Sequence, residues 1–377
     1  MTTRIGVIGC GFIAALHSRS LKALAAAGLV DAAVVATCDP DRSRAEAFAR
    51  AHRADLATAD PAEVLAAVDA VYVCTPTAGH PALVAAAAEA GLAVFCEKPL
   101  ATTLAGAEAM AAVVAGRDIP AQVGLVLRTS PAYGAVVDLV RSGRLGRPQA
   151  VSFRDDQYFP TQGQYGSSWR GDVAVAGGGT LLEHSIHDLD VLRWLLGEAT
   201  SVMARTANFA GHPGVEDVAV ATIAFTDEHG DPGATASLVS VWHQVLSRPS
   251  TRWLEVLCEH GVVAAPDEHA APLRLHTSAG VEELAVSVPP WTAELPGDER
   301  WRAAVAVYAP QSLAFLEALR QGRAPAPGFD VAVAAHRLAD AVYRSAAAEG
   351  APVRPGSGGS GPFAPLSERG YRREDGR

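Results

Sequence analysis

The sequence predicts an α/β protein of two domains: an N-terminal parallel sheet covered on both faces, then an α/β domain with an open, mostly antiparallel sheet. The chain has 377 residues, more than one common domain needs. Short apolar strands alternate with helices in its first third, and longer runs of alternating hydrophobicity follow. We predict domains over 1–125 and 126–353, and a disordered tail over 354–377, which is rich in Gly, Ser, Pro and charge.

The first domain alternates strands and helices from its start. After the strand RIGVIG, the segment FIAALHSRSLKALAAAG has Phe12, Leu16, Leu21 and Leu24 near helical spacing, and Gly28 is a stop signal. The following segments are the strand AAVVATCD, the helix RSRAEAFARAH, the strand AVYVCTP, the helix PALVAAAAEAG, the strand AVFCEKP, a helix near 104–114 and the strand AQVGLVLR. Strands that are apolar throughout and separated by helices indicate a buried parallel sheet.

The pattern changes after residue 128. A helix near 133–141 and the strand QAVSFRDDQYF precede a run of three glycines, which leads into the predicted helix LEHSIHDLDVLRWLLG. Alternating runs follow, namely TSVMARTANF, DVAVATIAFT, TASLVSVWHQ, RWLEVLCEHGVVAA and LRLHTS. Such alternation with turn signals indicates an antiparallel sheet with one covered face. Two helices, APQSLAFLEALRQG and DVAVAAHRLADAVYRSAAAEG, end the domain.

The composition limits the kinds of binding partner and the cellular compartment that we expect for this protein. The net charge is −10 without a basic stripe, which argues against a nucleic-acid partner. No apolar segment approaches the roughly 18 residues of a membrane span, and the apolar stretch at the N-terminus is too short for a signal peptide. The five cysteines are an odd number without C-x-x-C spacing, so we expect free thiols and a cytoplasmic protein.

The first strand–helix turn reads G-x-G-x-x-A and predicts a dinucleotide site. Gly9 allows the tight turn, Gly11 lets the backbone approach a pyrophosphate, and Ala14 permits close packing of helix on strand. The helix N-terminus offers unpaired N–H groups to the phosphates. We therefore expect Phe12 and Ile13, which begin that helix, to contact the cofactor.

The residues after the second strand bear on cofactor choice. Asp39 lies where an acidic residue accepts hydrogen bonds from the adenosine ribose and repels a 2′-phosphate, which favours NAD over NADP. Arg42 and Arg44 follow and could accommodate the 2′-phosphate instead. A solvated helix start is the other interpretation of these arginines, and the one we favour.

Two further strands end in VCTPTAGHP and VFCEKPLA, at the edge where open α/β sheets bind ligands. We expect Thr75, Pro76, His80 and Glu97 there to contact the cofactor. Lys98 follows a buried strand, and its ammonium could polarise a substrate oxygen. A structural salt bridge with Glu97 is the alternative.

Several segments together, namely GVIGCGFIA, CTPTAGHP, CEKPLA, WRGD with GGGTLLEHSIHDLDVLRWLLG, and AHRLADAVYRSA, resemble the Gfo/Idh/MocA oxidoreductases. This family includes glucose–fructose oxidoreductase and inositol dehydrogenases, and the resemblance covers about residues 5–353. It implies a Rossmann NAD(P)-binding domain, and a second domain that binds substrate and pairs through its sheet into a homodimer or homotetramer. The implied activity is hydride transfer between a secondary alcohol of a sugar, sugar derivative or cyclitol and the nicotinamide. The resemblance also implies a cis Lys98–Pro99 peptide.

The family commonly carries D-x-G-x-H-x-x-D on the glycine-led helix, and here the match runs from Glu183 to Asp190. The resemblance implies a site of Lys98, Glu183 and His187, with His187 as general base, Lys98 as hydrogen-bond donor and Glu183 orienting the substrate or base. Four residues apart on one helix, Glu183 and His187 would share a face. Asp190 could orient the His187 imidazole.

Two residues depart from the family pattern: Glu183 replaces an aspartate and Ser185 replaces a glycine. The longer carboxylate puts typical cyclitol or glucose specificity in doubt. His184 is an added titratable group, which we include among the substrate contacts with a locally hydrogen-bonded histidine as the alternative. No metal is expected at Glu183, His184 and His187, because adjacent helical residues point about 100° apart.

The other expected substrate contacts are Arg128, Tyr158, Trp169 and Arg170, with core packing or an ion pair as the alternative for each. Two further functions stay open. One is an NAD-dependent glycosidase that oxidises its substrate transiently, and the other is a non-catalytic regulator that binds a sugar or nucleotide.

Overall fold

A computed structural model of the chain describes residues 2–163, 165–227, 231–268, 271–294 and 299–356. The predicted disordered tail therefore lies outside the described residues from 357 onward. Among the described residues, no helix combines the length and the apolar character needed to cross a lipid bilayer.

The strands in chain order are β1 (Thr3–Ile8), β2 (Ala32–Cys38), β3 (Leu56–Thr58), β4 (Ala70–Val73), β5 (Ala93–Cys96), β6 (Ala121–Val123), β7 (Pro148–Tyr158), β8 (Ala199–Ala207), β9 (Val218–Thr226), β10 (Pro232–His243), β11 (Thr251–Cys258), β12 (Gly261–Ala265), β13 (Leu273–Thr277) and β14 (Gly280–Leu284). The helices are α1 (Phe12–Ala26), α2 (Arg42–His52), α3 (Pro61–Leu65), α4 (His80–Glu89), α5 (Leu104–Arg117), α6 (Pro131–Arg141), α7 (Val173–Ala176), α8 (Thr180–Glu183), α9 (Ile186–Leu196), α10 (Glu299–Gln321) and α11 (Phe329–Ala347).

The described residues form two compact units. The first contains 2–101, 105–131 and the described part of 287–333, and the second contains 102–104, the described part of 132–286, and 334–356. The domain boundaries drawn from the sequence, 1–125 and 126–353, stay a prediction. The structure differs at α10, which the sequence had put in the second domain and which belongs to the first unit.

The sheet of the first unit has the strand order β3-β2-β1-β4-β5-β6, and all of its pairs are parallel. This is the strand order of the Rossmann fold, as predicted. The core stacks Tyr72 on Phe95 with ring centroids 4.6 Å apart. Among the six strands of this sheet, β3 is the one that the sequence did not predict, because its three residues are too few to show a hydrophobic period.

Helix α10 is longer than the sequence suggested. We expected a start near Ala309, but the helix begins ten residues earlier and continues through Pro310. Packing explains the difference: Val305 and Ala309 are buried against Ala23 and Leu24 of α1. Further along α10, the buried Phe315 lies edge-on to the Tyr72 and Phe95 rings.

The sheet of the second unit has eight strands in the order β14-β13-β12-β11-β7-β10-β9-β8. All of its pairs are antiparallel except the central pair of β7 and β10, so the mostly antiparallel sheet is confirmed. The run RWLEVLCEHGVVAA is two strands, β11 and β12, because the chain turns back at Glu259 and His260. Strand β14 had not been predicted.

One face of this sheet carries the residues that matter for α8 and α9. The alternation of β10 turns Ser240 and Trp242 toward the buried face, where they are paired in register with Asp155 and Gln157 of β7. On β11 the same phase buries Arg252 opposite Asp155. An arginine and an aspartate therefore stand side by side on the covered face of the sheet.

The three glycines allow the chain to reach α8 through a crowded passage. A Cβ atom on Gly179 would lie 1.7 Å from the Glu216 carbonyl oxygen, and one on Gly178 would lie 2.4 Å from the Tyr343 hydroxyl. No other residue type can bring the backbone so close to its neighbours. The start of α8 is thus set against the residues that precede β9.

Candidate active site

The expected site residues are divided between the two units. The first unit holds Gly9, Gly11, Phe12, Ile13, Asp39, Arg42, Thr75, Pro76, His80, Glu97, Lys98 and Arg128. The second unit holds Tyr158, Trp169, Arg170, Glu183, His184 and His187.

The glycine turn of the first unit leaves the start of α1 open. Gly9 has a φ of +91°, and a Cβ there would lie 2.7 Å from the Cys74 carbonyl group. A Cβ on Gly11 would meet no atom within 4 Å, and among the described residues no side chain caps α1 at this glycine. Phe12 is exposed and Ile13 half-buried. The space beside Gly11 is of the kind that lets an anion approach a helix start, and a cofactor contact here stays a prediction.

Asp39 holds this turn against the end of β2. Its buried carboxylate accepts hydrogen bonds from the backbone N–H groups of Cys10 and Asp41, each at 3.0 Å. Arg44 Nη1 lies 3.7 Å from Asp39 Oδ2, whereas Arg42 is exposed and pairs with Glu46 along α2 at 3.1 Å. Both arginines thus have carboxylate partners in the first unit, and which interpretation of them holds stays a prediction.

All five cysteines are buried free thiols, as expected. Burial, with the Asp39 charge nearby, raises the pKa of Cys10 to about 12. Cys10 is therefore a small apolar residue of the turn and not a nucleophile.

His80 ties together the segments that follow β4 and β5. Its Nδ1 lies 2.9 Å from the Pro99 carbonyl oxygen and its Nε2 lies 2.9 Å from the Thr75 carbonyl oxygen. Thr75 Oγ1 is buried, and no group among the described residues hydrogen bonds to it. Pro76 is exposed beside it. This hydroxyl therefore has hydrogen-bonding capacity left for a ligand.

Glu97 anchors the turn that carries Lys98. Its Oε1 lies 2.7 Å from His17 Nε2, and its Oε2 accepts the Lys98 backbone N–H at 3.2 Å. Burial raises the pKa of Glu97, but the hydrogen bond and charge of His17, together with Lys98, outweigh it and keep that pKa below the usual value. His17 is thus the close side-chain partner of Glu97, while Lys98 contributes its backbone N–H.

The Lys98–Pro99 peptide is cis, as expected, and the Lys98 side chain is half-buried. Arg128, also half-buried, lies in a short 3₁₀ turn over Val126–Thr129, and its backbone N–H donates to Leu125.

In the second unit the predicted glycine-led helix is broken in two. Helix α8 ends at Glu183, and α9 begins at Ile186. The Thr180 carbonyl oxygen accepts the N–H groups of both His184 at 3.1 Å and Ser185 at 2.8 Å, which interrupts the regular ladder. The expectation of one continuous helix through Glu183 and His187 is therefore wrong, while the convergence of their side chains on one ligand stays a prediction.

The break is held by five polar residues that we call the Arg252 cluster: Arg252, Asp155, Asp188, Glu268 and His184. The Arg252 guanidinium lies 3.0 Å from Asp188 Oδ1, 3.1 Å from Glu268 Oε1 and 3.3 Å from Asp155 Oδ2. His184 Nδ1 lies 2.9 Å from Asp155 Oδ2, and its Nε2 lies 2.9 Å from Arg252 Nη2. The Nε2 hydrogen bond is of the kind that the locally hydrogen-bonded alternative describes, and the substrate contact of His184 stays a prediction.

A chain of hydroxyl groups leads into the same cluster. Ser185 Oγ lies 3.0 Å from Asp155 Oδ2 and 2.6 Å from Ser240 Oγ, which lies 2.8 Å from Thr180 Oγ1. The Ser185 hydroxyl therefore has its one proton for two acceptors, Asp155 Oδ2 and Ser240 Oγ. Ser185 thereby fastens the start of α9 to β7 and β10.

Glu183 is almost fully buried and pairs with Arg170, whose Nε lies 3.3 Å from Glu183 Oε2. The Arg170 guanidinium stacks on the Trp169 ring, 4.4 Å from its centroid. The half-buried Tyr158 contacts the Tyr165 ring. Arg170 thus supports the Glu183 carboxylate directly, and Trp169 supports the Arg170 guanidinium.

His187 is buried near the start of α9. Asp190 Oδ1 lies 3.6 Å from Arg193 Nη1. That Asp190 orients His187 stays a prediction.

Sequence reasoning missed Asp155, Glu216 and Arg252. Glu216 accepts the N–H groups of Gly179 at 2.8 Å and Leu181 at 2.9 Å and the Tyr343 hydroxyl at 2.9 Å, which caps α8. Burial raises its pKa to about 7. One signal was available: in the alternation of RWLEVLC, Arg252 falls in the inward phase with Leu254 and Val256.

The comparisons agree with these two units. A family model described as "Oxidoreductase family, NAD-binding Rossmann fold" matches residues 3–125, and one described as "GFO/IDH/MocA C-terminal domain" matches residues 133–264. The chain belongs to the Gfo/Idh/MocA oxidoreductase family. Both the predicted family and the predicted fold class are confirmed.

Relatives match along most of the chain. Inositol 2-dehydrogenase of Rhizobium meliloti (strain 1021) is 31% identical over 362 residues, which are 92% of this chain and 98% of that protein. The crystal structure of an oxidoreductase domain protein from Kribbella flavida is 26% identical, with a TM-score of 0.83, over 94% of this chain and 100% of that one. Levoglucosan dehydrogenase, solved in complex with NADH and levoglucosan, shares the fold at 22% identity, with a TM-score of 0.81 over 94% of this chain and 99% of that one.

The Arg252 cluster makes stability depend on pH. Burial, and then the charge of Asp155, raise the pKa of Asp188 to about 8 from an ordinary 3.8. Between these two pKa values the folded chain holds a proton on Asp188 that the unfolded chain releases. The stabilisation that comes from this bound proton is complete below the ordinary pKa of 3.8 and is lost as the pH rises toward 8. Asn cannot titrate. We therefore expect the free energy of unfolding of Asp188→Asn to increase relative to that of the wild type as the pH rises from about 5 to about 8.5.

Urea unfolding across this pH range measures the effect. The exposed Asp138→Asn is the matched control and should show a difference from wild type that does not vary with pH. A constant difference for Asp188→Asn as well would mean that Asp188 carries no extra proton in the fold.

Proposed function

We propose that this protein is an NAD(P)-dependent dehydrogenase that transfers a hydride between a secondary alcohol of a sugar, sugar derivative or cyclitol and the nicotinamide. One observation carries the proposal: both domains match the same oxidoreductase family, and an inositol 2-dehydrogenase is 31% identical over 92% of the chain. The arrangement of polar groups in each unit supports it.

The residues at the carboxyl edge of the first sheet fit a dinucleotide. Gly11 leaves room for a phosphate at the start of α1, and Thr75 Oγ1 has hydrogen-bonding capacity left. We assign cofactor contacts to these residues and to Gly9, Phe12, Ile13, Asp39, Arg42, Pro76, His80, Glu97 and Lys98. When bound, the nicotinamide accepts or supplies the hydride.

Asp39 supports NAD as the preferred cofactor. Its carboxylate is buried and held by two backbone N–H groups, so it cannot easily turn away from an added negative charge. Arg44 lies 3.7 Å from it and is therefore already paired with a carboxylate. A 2′-phosphate at this position would meet repulsion instead of a free cation.

Replacing Asp39 by Asn tests this preference. The amide oxygen can still accept from Cys10, but the negative charge is lost, so we expect the ratio of kcat/KM for NADP⁺ to that for NAD⁺ to rise about tenfold. Steady-state kinetics with each cofactor measure the ratio. The exposed Arg50→Ala on α2 is the control and should leave the ratio within about twofold. An unchanged ratio in Asp39→Asn would show that another group selects the cofactor.

We assign the chemistry to three residues. In the second unit, His187 accepts the proton of the substrate hydroxyl as general base, and Glu183, held by Arg170, orients the substrate. In the first unit, Lys98 donates a hydrogen bond to a substrate oxygen from the turn anchored by Glu97. Arg128, Tyr158, Trp169 and Arg170 are proposed to contact the substrate as well.

To test this proposal, nicotinamide absorbance is measured after the full chain is mixed with NAD⁺ or NADP⁺ and each member of a panel of cyclitols, aldoses, amino sugars and glycosides. Reduction with one class supports the dehydrogenase. Cleavage of a glycoside without net reduction would replace it by the glycosidase alternative. Cofactor binding without any reaction across the panel would favour the regulator.

Lys98→Ala and His187→Ala should lower kcat by about 10²–10⁴-fold, because each removes a group that acts on the substrate. The Kd for NADH should stay within about twofold in His187→Ala and should rise only a few-fold in Lys98→Ala, because Lys98 is one of several assigned cofactor contacts. Kinetics and fluorescence titration with NADH measure the two quantities. The exposed Lys22→Ala and His276→Ala are matched controls and should keep wild-type kcat. Near-wild-type turnover in both site variants would overturn these assignments.

We also propose that the enzyme is a cytoplasmic homodimer or homotetramer formed through the uncovered face of the second sheet. That face exposes Met203, Val220, Trp253 and Leu257, and apolar patches of this kind often mark interfaces. We expect sedimentation of the full chain to give two or four times the 39.0 kDa chain mass. A single-chain mass would contradict this proposal.

A further inference from the structure

We infer that His184 is a positioning residue: the Arg252 cluster holds it as a neutral imidazole of one fixed tautomer, and its place between α8 and α9 sets where Glu183 and His187 lie. The part of this inference that concerns turnover rests on the proposed function. The part that concerns the ring and the helix break does not.

The partners of the ring decide its tautomer. Arginine has only donors and stays protonated, so His184 Nε2, which lies 2.9 Å from Arg252 Nη2, must present its lone pair and accept. The single proton of a neutral ring is therefore on Nδ1, which lies 2.9 Å from Asp155 Oδ2 without the geometry of a hydrogen bond. A second proton on Nε2 would point at the guanidinium, break that hydrogen bond and place two cations together.

The groups around the ring act on its charge in opposite directions. The charged and titratable groups that face the ring and its partners are Asp155 on β7, Arg252 on β11, Asp188 on α9, Glu268 after β12 and Tyr133 on α6. The carboxylates favour a protonated ring, whereas its partial burial and the guanidinium favour a neutral one. Because Arg252 Nη2 lies 2.9 Å from Nε2 and can only donate, that nitrogen has no room for a second proton, and we infer that the ring is neutral.

His184 stands where the helix direction changes. Its φ of −123° and ψ of −61° are not helical, and it directly follows Glu183, the last residue of α8. Its side chain is fastened to β7 and β11, while Ser185 next to it is fastened to β7 and β10. The path of the chain between Glu183 and His187 is therefore fixed from three strands of the sheet.

The ring itself can be observed directly. Two-bond ¹H–¹⁵N spectra of the full chain with ¹⁵N-labelled histidine, with the His184 signals assigned by their loss in His184→Asn, should show a protonated Nδ1 and an unprotonated Nε2. We expect no change in protonation between about pH 5.5 and pH 8.5. A ring that titrates near the ordinary value of about 6.5, or that carries its proton on Nε2, would overturn the inference.

Two variants separate positioning from general stability. His184→Asn keeps an N–H donor toward Asp155 and an oxygen acceptor, while His184→Leu keeps only bulk. For the substrate that the panel identifies, we expect kcat to fall about 10–100-fold in His184→Leu and to stay within about threefold of wild type in His184→Asn, with the KM for NAD⁺ unchanged in both. Equal kcat values in wild type and His184→Leu, or no rescue by Asn, would overturn the positioning role.

Absence of activity in the wild type would contradict the proposed function, but it would not contradict this inference. In that case the His187 ring signals are the readout: they should shift in His184→Leu and return in His184→Asn. His187 signals that are the same in all three proteins would show that His184 does not position it. If His184→Leu fails to fold, the tautomer in the wild type and the comparison with His184→Asn still decide.

Discussion

The candidate chemistry of the second unit depends on the ion pairs that the Arg252 guanidinium forms. It is buried with Asp155 and Asp188 and also pairs with Glu268, and a charge of this kind is tolerated only when its partners surround it. Those partners belong to β7, α9 and the segment after β12, so one side chain joins three parts of the unit. Removing it would leave carboxylates buried without a counter-ion, the costly way to break such a pair.

Both units use the same device where the chain approaches a candidate site. In each unit a glycine segment brings the backbone close to its neighbours, and a buried carboxylate accepts hydrogen bonds from backbone N–H groups of that segment. Asp39 does so for Cys10 in the first unit, and Glu216 does so for Gly179 and Leu181 in the second. Glycine permits the close approach, and the carboxylate satisfies donors that would otherwise be buried without partners.

The two departures from the family pattern have structural explanations. Ser185, in place of a glycine, joins the hydroxyl chain that ends on Asp155, and Glu183, in place of an aspartate, pairs with Arg170. Both changed side chains therefore have polar partners within the second unit. This supports an enzyme that has kept its site with altered substrate contacts over a regulator that has lost it.

The sequence by itself determined the parallel first sheet, the mostly antiparallel second sheet, the glycine turn at Gly9 and the family, because these follow from hydrophobic periods and short motifs of neighbouring residues. Only the tertiary structure decided the length and placement of α10, the break between α8 and α9, and the engagement of His184. The reason is separation along the chain: Arg252 is 68 residues from His184 and 97 from Asp155. A local pattern cannot show that such residues meet, and their ion pairs and hydrogen bonds override the continuous helix that the local sequence favours.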